Sequence, residues 1–181
     1  MGSIKGMNKF SSLAWCSFGE GRGIVGGGMV DGAISLWDVA TILGDTEGSN
    51  LNACLSLQNI HDGKKVNSLQ FNPFKPNLLA SGGSEVFVQN IEKNIKDPEL
   101  FKPGHPNHHG DSPITCVSWN KKVVHILASS SENGENLRIL RFYLPIGLTV
   151  VWDLKTTKPI FNFSDPNLNY DAFYGDQAND R

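Results

Sequence analysis

Residues 61–81 read HDGKKVNSLQFNPFKPNLLAS, and residues 109–129 repeat the pattern as HGDSPITCVSWNKKVVHILAS. The two stretches align without a gap when the first histidines are superimposed, and apolar, aromatic and small residues then coincide. The coinciding pairs are Val66 with Ile114, Leu69 with Val117, Phe71 with Trp119, Leu79 with Leu127, Ala80 with Ala128 and Ser81 with Ser129. Such agreement is unlikely by chance, so the chain contains an internal repeat.

A further copy of the pattern lies upstream. Residues 13–15 (LAW) correspond to the strand that ends at Phe71, residues 24–27 (IVGG) correspond to residues 78–82, and residues 34–38 read ISLWD. Short β-rich or alternating runs bounded by Gly, Pro, Asn and Asp are strand signals. Each unit is therefore predicted to form four short strands.

Trp-Asp dipeptides close the predicted third strand of two units, at residues 37–38 and 152–153. Repeats of about 40 to 45 residues that carry this dipeptide are typical of β-propeller blades. The prediction is an all-β fold, an incomplete WD-repeat β-propeller of about three four-stranded blades taken from a roughly seven-bladed propeller. Three blades leave strand edges unpaired, which predicts self-association or poor solubility of the chain. The predicted blades are 8–60, 61–104 and 105–167, followed by a tail at 168–181.

WD-repeat blades contain a buried hydrogen-bond network of a loop histidine, a strand serine or threonine, an aspartate and the indole, whose N–H needs an acceptor when buried. The corresponding residues are His61, Ser81, His109, Ser129, Trp37, Asp38, Trp152 and Asp153. In the second unit, Gln89 and Asn90 replace the Trp-Asp pair, so we expect an incomplete network and a less rigid blade. Register positions predicted to lie in the blade cores are occupied by Phe10, Trp15, Phe71 and Trp119.

The composition argues against several classes of function. The 181 residues suffice for one ordinary domain, and 16 basic against 18 acidic residues give a formal charge of −2. This balance offers no electrostatic reason to bind nucleic acid or an anionic membrane directly. No apolar run reaches the roughly 18 residues of a membrane span, and the first ten residues lack the core of a secretory signal. The three cysteines form no CxxC pair, which favours a reducing, cytosolic compartment.

Candidate metal-binding and catalytic residues have simpler structural explanations. His105, His108 and His109 could bind zinc, but no cysteine or second ligand pair lies nearby, and His109 belongs to the blade loop. Residues 19–28 are glycine-rich without a phosphate-loop pattern and are interpreted as turns. Cys16 is interpreted as a small buried apolar side chain of a strand. We therefore predict no cofactor, no metal and no enzymatic activity.

Several strings are more specific than a generic WD repeat. Residues 8–15 contain NKF and LAW, residues 71–82 read FNPFKPNLLASG, residues 118–130 contain SWN and HILASS, and residues 151–154 read VWDL. These strings resemble the N-terminal blades of the larger outer-coat subunit of COPII vesicles, the Sec thirty-one family, over most of residues 8–167.

One segment departs from this resemblance. The stretch between Trp119 and Trp152 is longer than its counterparts, and removal of residues 135–147 restores an ordinary hairpin. The removed piece, ENLRILRFYLPIG, is apolar and basic, unlike a solvated turn. It is either a retained in-frame intron or a genuine loop insertion, which surface hairpins tolerate.

The resemblance implies a structural module of the COPII outer coat, which mediates protein–protein contacts in cage assembly for budding from the endoplasmic reticulum towards the Golgi. Implied partners are the Sec thirteen protein, the inner-coat Sec twenty-three and Sec twenty-four proteins, and further copies at cage vertices. The implied location is cytoplasmic, at endoplasmic reticulum exit sites and COPII vesicles, with the membrane contacted only indirectly and no nucleic acid bound. The predicted contact-loop residues are Asn8, Lys9, Asp45, Glu47 and Lys96.

The alternative is a generic WD-repeat scaffold whose face binds a partner peptide. A basic ring around the central channel would favour that function. The loop lysines Lys64, Lys65, Lys121 and Lys122 form no obvious cluster in the sequence.

Overall fold

The computed structural model describes residues 8–17, 23–44, 55–58, 60–91, 100–101, 109, 112–132 and 148–163. Within these ranges the chain forms twelve β-strands and one short α-helix, and the strands make three four-stranded antiparallel sheets. The predicted all-β fold of three four-stranded, blade-like sheets is confirmed. The predicted boundaries between blades remain predictions.

Each sheet is a meander in which every strand pairs with its neighbour in sequence. The first blade contains β1 (Phe10–Cys16), β2 (Ile24–Met29), β3 (Ile34–Asp38), α1 (Val39–Gly44) and β4 (Leu55–Leu57). The second blade contains β5 (Ser68–Phe71), β6 (Leu78–Gly82), β7 (Val86–Asn90) and β8 (Leu100–Phe101). The third blade contains β9 (Ile114–Trp119), β10 (Ile126–Ser131), β11 (Thr149–Asp153) and β12 (Lys158–Phe163).

The sheets pack face to face, with β5 lying next to both β1 and β9. Leu36 of the first blade and Phe71 of the second belong to one apolar core, whereas Val88 of the second and Trp119 of the third belong to the next. Because successive side chains of a strand point to opposite faces, one blade can contact a neighbour on each side. The repeated apolar residues thus form an apolar core between each pair of neighbouring sheets.

Polar contacts also join neighbouring blades. The Ser12 hydroxyl donates to the carbonyl of Val66 at 2.9 Å. Between the second and third blades, the Trp119 indole N–H donates to the carbonyl of Gln70 at 3.0 Å, and the Gln70 side-chain oxygen accepts from the Trp119 backbone N–H. These bonds satisfy polar groups where the inner strands meet, which buried interfaces require.

The predicted core includes two residues that the structure places elsewhere. Phe71 and Trp119 are buried, as predicted, but Phe10 and Trp15 are 44% and 66% exposed. The burial prediction for Phe10 and Trp15 is therefore wrong. They belong to the first blade, and no sheet within the described ranges covers the face on which Trp15 lies.

Candidate functional site

The third blade contains a continuous hydrogen-bond network around one buried hydroxyl. The Trp152 indole N–H donates to Ser129 Oγ at 2.7 Å, and His109 Nε2 lies 2.8 Å from the same oxygen. All three residues are buried. The sheet register explains the meeting, since Leu127 on β10 pairs with Trp152 on β11 and Ser129 follows two residues later on the same face.

The second blade keeps half of this network and replaces the other half. His61 Nε2 lies 3.0 Å from Ser81 Oγ, and both residues are fully buried. Gln89 occupies the register position of Trp152, because it pairs with Leu79 as Trp152 pairs with Leu127. Both amide atoms of Gln89 are buried without a hydrogen-bond partner among the described residues, so they do not complete the network.

An aromatic residue that the sequence reasoning did not identify packs on the histidine of the second blade. Phe87 pairs with Ser81, the position at which the third blade has Val150 opposite Ser129. Its ring meets the His61 imidazole edge to face, with centroids 4.9 Å apart. The larger Phe87 thus partly compensates for the smaller side chain at position 89. A comparison of the third strands position by position, rather than a search for Trp-Asp, is the signal that could have identified it.

Burial changes the acid–base behaviour of His61. Removal of the ring from solvent lowers the pKa of His61 from 6.5 to about 4, and the charge of neighbouring Asp62 opposes this effect only in part. The imidazole is therefore neutral at physiological pH. A neutral ring suits a structural hydrogen bond to Ser81, since the charged form would be poorly solvated there.

The first blade has the indole without its partners. Gly27 occupies the register position of Ser81 and Ser129, because it pairs with β1 in the same register as those serines pair with the first strands of their own sheets. The Phe10 ring lies over Gly27 and meets the Trp37 ring edge to face at 5.6 Å. A Cβ on Gly27 would lie 2.5 Å from the Phe10 ring, so close packing requires glycine here. The Trp37 indole N–H is buried without a hydrogen-bond partner among the described residues.

Each of the two Trp-Asp aspartates accepts a backbone hydrogen bond at a turn. Asp38 Oδ1 accepts from the backbone N–H of Ala40 at 2.9 Å, at the start of α1, as a helix N-cap residue does. Asp153 Oδ1 accepts from the backbone N–H of Lys155 at 2.9 Å, and this bond is the main cause of the lowered pKa of the Asp153 carboxyl. The structure thus brings together His109, Ser129 and Trp152, and separately His61 and Ser81.

Two of the five predicted contact-loop residues lie within the described ranges. The Asn8 amide donates to the carboxylate of Asp31, and the Lys9 carbonyl accepts from the backbone N–H of Val30 at 3.0 Å. Both Asn8 and Lys9 are exposed. The other predictions fall outside the described residues, namely Asp45, Glu47, Lys96, His105, His108, the 135–147 segment and the 168–181 tail.

The described parts of the chain offer neither a metal centre nor a membrane-spanning helix. Among these residues, no group of three or more His, Cys, Asp or Glu side chains is arranged to hold a metal ion. The helical segment that the structure describes is also too short and insufficiently apolar to cross a membrane.

The exposed first face resembles the buried interfaces inside the molecule. Trp15 occupies on β1 the register position of Phe71 on β5 and Trp119 on β9. Phe71 packs on the first blade and Trp119 packs on the second. Leu13, which shares the face of Trp15, is 64% exposed. The face defined by Leu13 and Trp15 therefore has the side chains of a blade interface.

Three meander sheets with adjacent inner strands and a His–Ser–Trp network define a WD-repeat β-propeller chain. No protein-family model matches the sequence. A solved structure of Chaetomium thermophilum Sqt1, bound to the N-terminus of ribosomal protein L10, is similar with a TM-score of 0.55 and 17% identity, over 85% of this chain and 34% of that chain. At this identity the likeness concerns the fold alone.

Sequence relatives identify the family. Protein transport protein SEC31 of Dictyostelium discoideum is 38% identical over 92% of this chain, and its Chaetomium globosum namesake is 33% identical over 98%. Sec31B of Mus musculus is 33% identical over 90%. The chain belongs to the Sec31 family and matches its N-terminal region. It spans only 12–13% of the length of these relatives.

Proposed function

We propose that the chain is a structural module of the COPII outer coat, a scaffold for protein–protein contacts during budding from the endoplasmic reticulum. The observation that carries this proposal is the 38% identity, over 92% of the chain, to a protein named protein transport protein SEC31. The fold supports it, because a propeller blade is a rigid sheet whose loops and edges remain free for contacts. The relatives do not favour a generic peptide-binding scaffold of another pathway.

The burial of the polar networks supports a non-enzymatic role. His–Ser pairs could in principle supply a base and a nucleophile. Here His61 and Ser81 are both fully buried, and in the third blade Ser129 already accepts from the Trp152 indole. These hydroxyl groups are therefore not exposed to solvent. We therefore assign the histidine–serine pairs to blade stability rather than catalysis.

The proposed partners are the Sec thirteen protein, the inner-coat Sec twenty-three and Sec twenty-four proteins, and further copies of the parent protein at cage vertices. The proposed location is the cytoplasmic side of endoplasmic reticulum exit sites and COPII vesicles. We also propose that another blade covers the face of Leu13 and Trp15, since the same register positions are covered in the second and third blades.

The test is reconstitution of coat assembly on synthetic membranes with the longer protein that carries this region. Charge reversal at Lys9, together with Asp45, Glu47 and Lys96, should weaken assembly while circular dichroism stays native, because peripheral charges act on association more than on folding. Unchanged assembly with native circular dichroism would show that the contact loops are wrongly assigned. Failure of the unmodified protein to join the coat would refute the proposed function itself.

A further inference from the structure

Two turns with the same internal geometry lie side by side on the second and third blades. The β5–β6 turn begins at Asn72, whose side-chain oxygen accepts from the backbone N–H groups of Phe74 and Lys75, both at 2.9 Å. The β9–β10 turn begins at Asn120, whose side-chain oxygen accepts from Lys122 and Val123 at 2.7 and 2.9 Å. Such bonds fix a turn without help from neighbouring strands.

A direct bond holds the two turns next to each other. The Asn72 amide N–H donates to the carbonyl of Val124 in the neighbouring turn at 2.8 Å, and Asn72 itself is buried. The β11–β12 turn joins the same end of the third blade, since the Leu154 backbone N–H donates to the carbonyl of His125 at 2.9 Å. We call residues 72–77, 120–125 and 154–157 the paired-turn surface.

The paired-turn surface is basic and partly apolar. Its exposed lysines are Lys75, Lys121, Lys122 and Lys155. Its exposed large apolar side chains are Phe74, 50% exposed, and Val123, 38% exposed. The carboxylate of Asp153 lies beside this surface, but it accepts from the Lys155 backbone N–H and faces His125 at 3.9 Å. Among the described residues, no carboxylate lies within ion-pair distance of these four ammonium groups, although the charge of Lys155 contributes to the lowered pKa of Asp153.

We propose that the paired-turn surface binds an acidic peptide segment with an apolar side chain between its carboxylates. Lys75 and Lys122, which lie on two neighbouring blades, would pair with the carboxylates of the peptide. Phe74 and Val123 would contact its apolar side chain. The turns are already fixed by Asn72 and Asn120, so binding orders little backbone. This inference goes beyond the proposed coat function, because it names a binding surface and the chemistry of its partner.

A peptide matches the surface better than an anionic membrane does. The chain as a whole carries a formal charge of −2, so its basic character is local rather than general. The two apolar side chains are only half exposed, which suits contact with one side chain rather than insertion among lipids. At the opposite end of the second blade, exposed Lys64 and Lys65 lie next to exposed Asp62.

Fluorescence anisotropy with a labelled, glutamate-rich peptide carrying one central leucine tests the proposal on the 181-residue chain. Lys75→Glu combined with Lys122→Glu should lower the affinity by about tenfold or more, because two attractive charge contacts become repulsive. The matched control, Lys64→Glu combined with Lys65→Glu, should change it by no more than about twofold. A peptide with glutamine for glutamate should bind about tenfold more weakly, and added salt should weaken binding of the acidic peptide.

Circular dichroism checks the fold of both double variants, and Phe74→Ser reports on the apolar contact separately. Equal affinity for the native double variant and the control would overturn the proposal. So would absence of peptide binding together with binding to vesicles of phosphatidylcholine and phosphatidylserine at roughly 4:1, which would assign the surface to a membrane. If the double variant is misfolded, Lys75→Gln with Lys122→Gln replaces it, and undiminished affinity in that variant also refutes the proposal.

Discussion

The second and third blades have the same sheet geometry but different polar interiors. In the third blade, Trp152 occupies the end of β11 and donates to Ser129. In the second blade the aromatic ring sits two residues earlier, as Phe87, and packs on His61. The repeat therefore preserves an aromatic contact beside the histidine while its position on the strand changes. Sheet register and volume define the blade more strictly than any one hydrogen bond does.

The replacement of tryptophan by glutamine in the second blade leaves the amide of Gln89 without hydrogen-bond partners among the described residues. Gln89 nevertheless keeps the register position of the tryptophan. The first blade shows a third solution, with Trp37 and Phe10 packed over Gly27. The comparison thus separates two contributions that the third blade combines, namely aromatic packing and the indole–serine hydrogen bond.

Truncation of the two aromatic residues is the largest test of the exchange. Trp152→Ala and Phe87→Ala should each lower the free energy of unfolding by about 3 to 5 kcal/mol, because each deletes a buried ring from a packed core. Urea unfolding followed by circular dichroism measures both. Trp15→Ala is the matched exposed control and should cost about 1 kcal/mol or less in the isolated chain.

The ratio of these effects is informative. If Phe87→Ala costs far less than Trp152→Ala, Phe87 has not taken over the packing role, and the second blade is held by other contacts. If Trp15→Ala costs as much as Trp152→Ala, the first face is covered in solution, as it would be in a self-associated chain.

Acid should weaken the second blade through His61. The pKa of this imidazole is about 4 in the folded chain and 6.5 once the ring is free in water, so between these values the unfolded chain binds a proton that the folded chain does not. The free energy of unfolding therefore keeps its full value above pH 6.5 and falls by about 3 kcal/mol as the pH drops towards 4. His61→Gln should flatten the dependence of unfolding free energy on pH in this window. An unchanged slope would mean that the imidazole is solvated in the native state.

The repeat made much of the fold predictable. The gap-free alignment of 61–81 with 109–129 predicts the order of the strands, because repeats with the same spacing of apolar residues and turns form sheets of the same topology. Burial of Phe71 and Trp119 followed from that register. Exposure of Phe10 and Trp15 did not, since the register gives the face on which a side chain lies but not whether a neighbour covers that face.

Interactions that depend on contacts between blades could not be predicted from one repeat. The sequence places Asn72 and Asn120 at equivalent positions, but only the packed blades show that the Asn72 amide reaches the next turn. The same packing gathers lysines that look scattered along the chain, such as Lys75 and Lys155. The packing of Phe87 on His61 was not predicted, because the Trp-Asp motif identifies only one position of the third strand. The core accepts an aromatic ring at either of two positions.

Deletion of the two serine hydroxyl groups separates the networks more finely. Ser129 Oγ has two buried partners, whereas Ser81 Oγ has the single partner His61 within the described parts of the chain. Ser129→Ala should therefore cost about 2 to 4 kcal/mol and Ser81→Ala about 1 to 2 kcal/mol, since each stranded polar group adds its own desolvation penalty. Thermal or urea unfolding gives both values. Equal losses would indicate that the Trp152 indole finds another acceptor once the hydroxyl is gone.

The smallest expected effect is also the one with the opposite sign. Gln89→Leu keeps nearly the same shape and removes two buried amide atoms that have no partner among the described residues, so it should raise the free energy of unfolding by about 1 kcal/mol. Gln70→Leu is the matched control in the same blade. Its side-chain oxygen accepts from the Trp119 backbone N–H, so this change should lower the free energy of unfolding by about 1 to 2 kcal/mol. If urea unfolding gives changes of opposite sign for the two variants, the amide of Gln89 lacks hydrogen-bond partners in the folded second blade. If Gln89→Leu destabilises the chain as Gln70→Leu does, the Gln89 amide is bonded in solution, and the missing indole has a polar replacement.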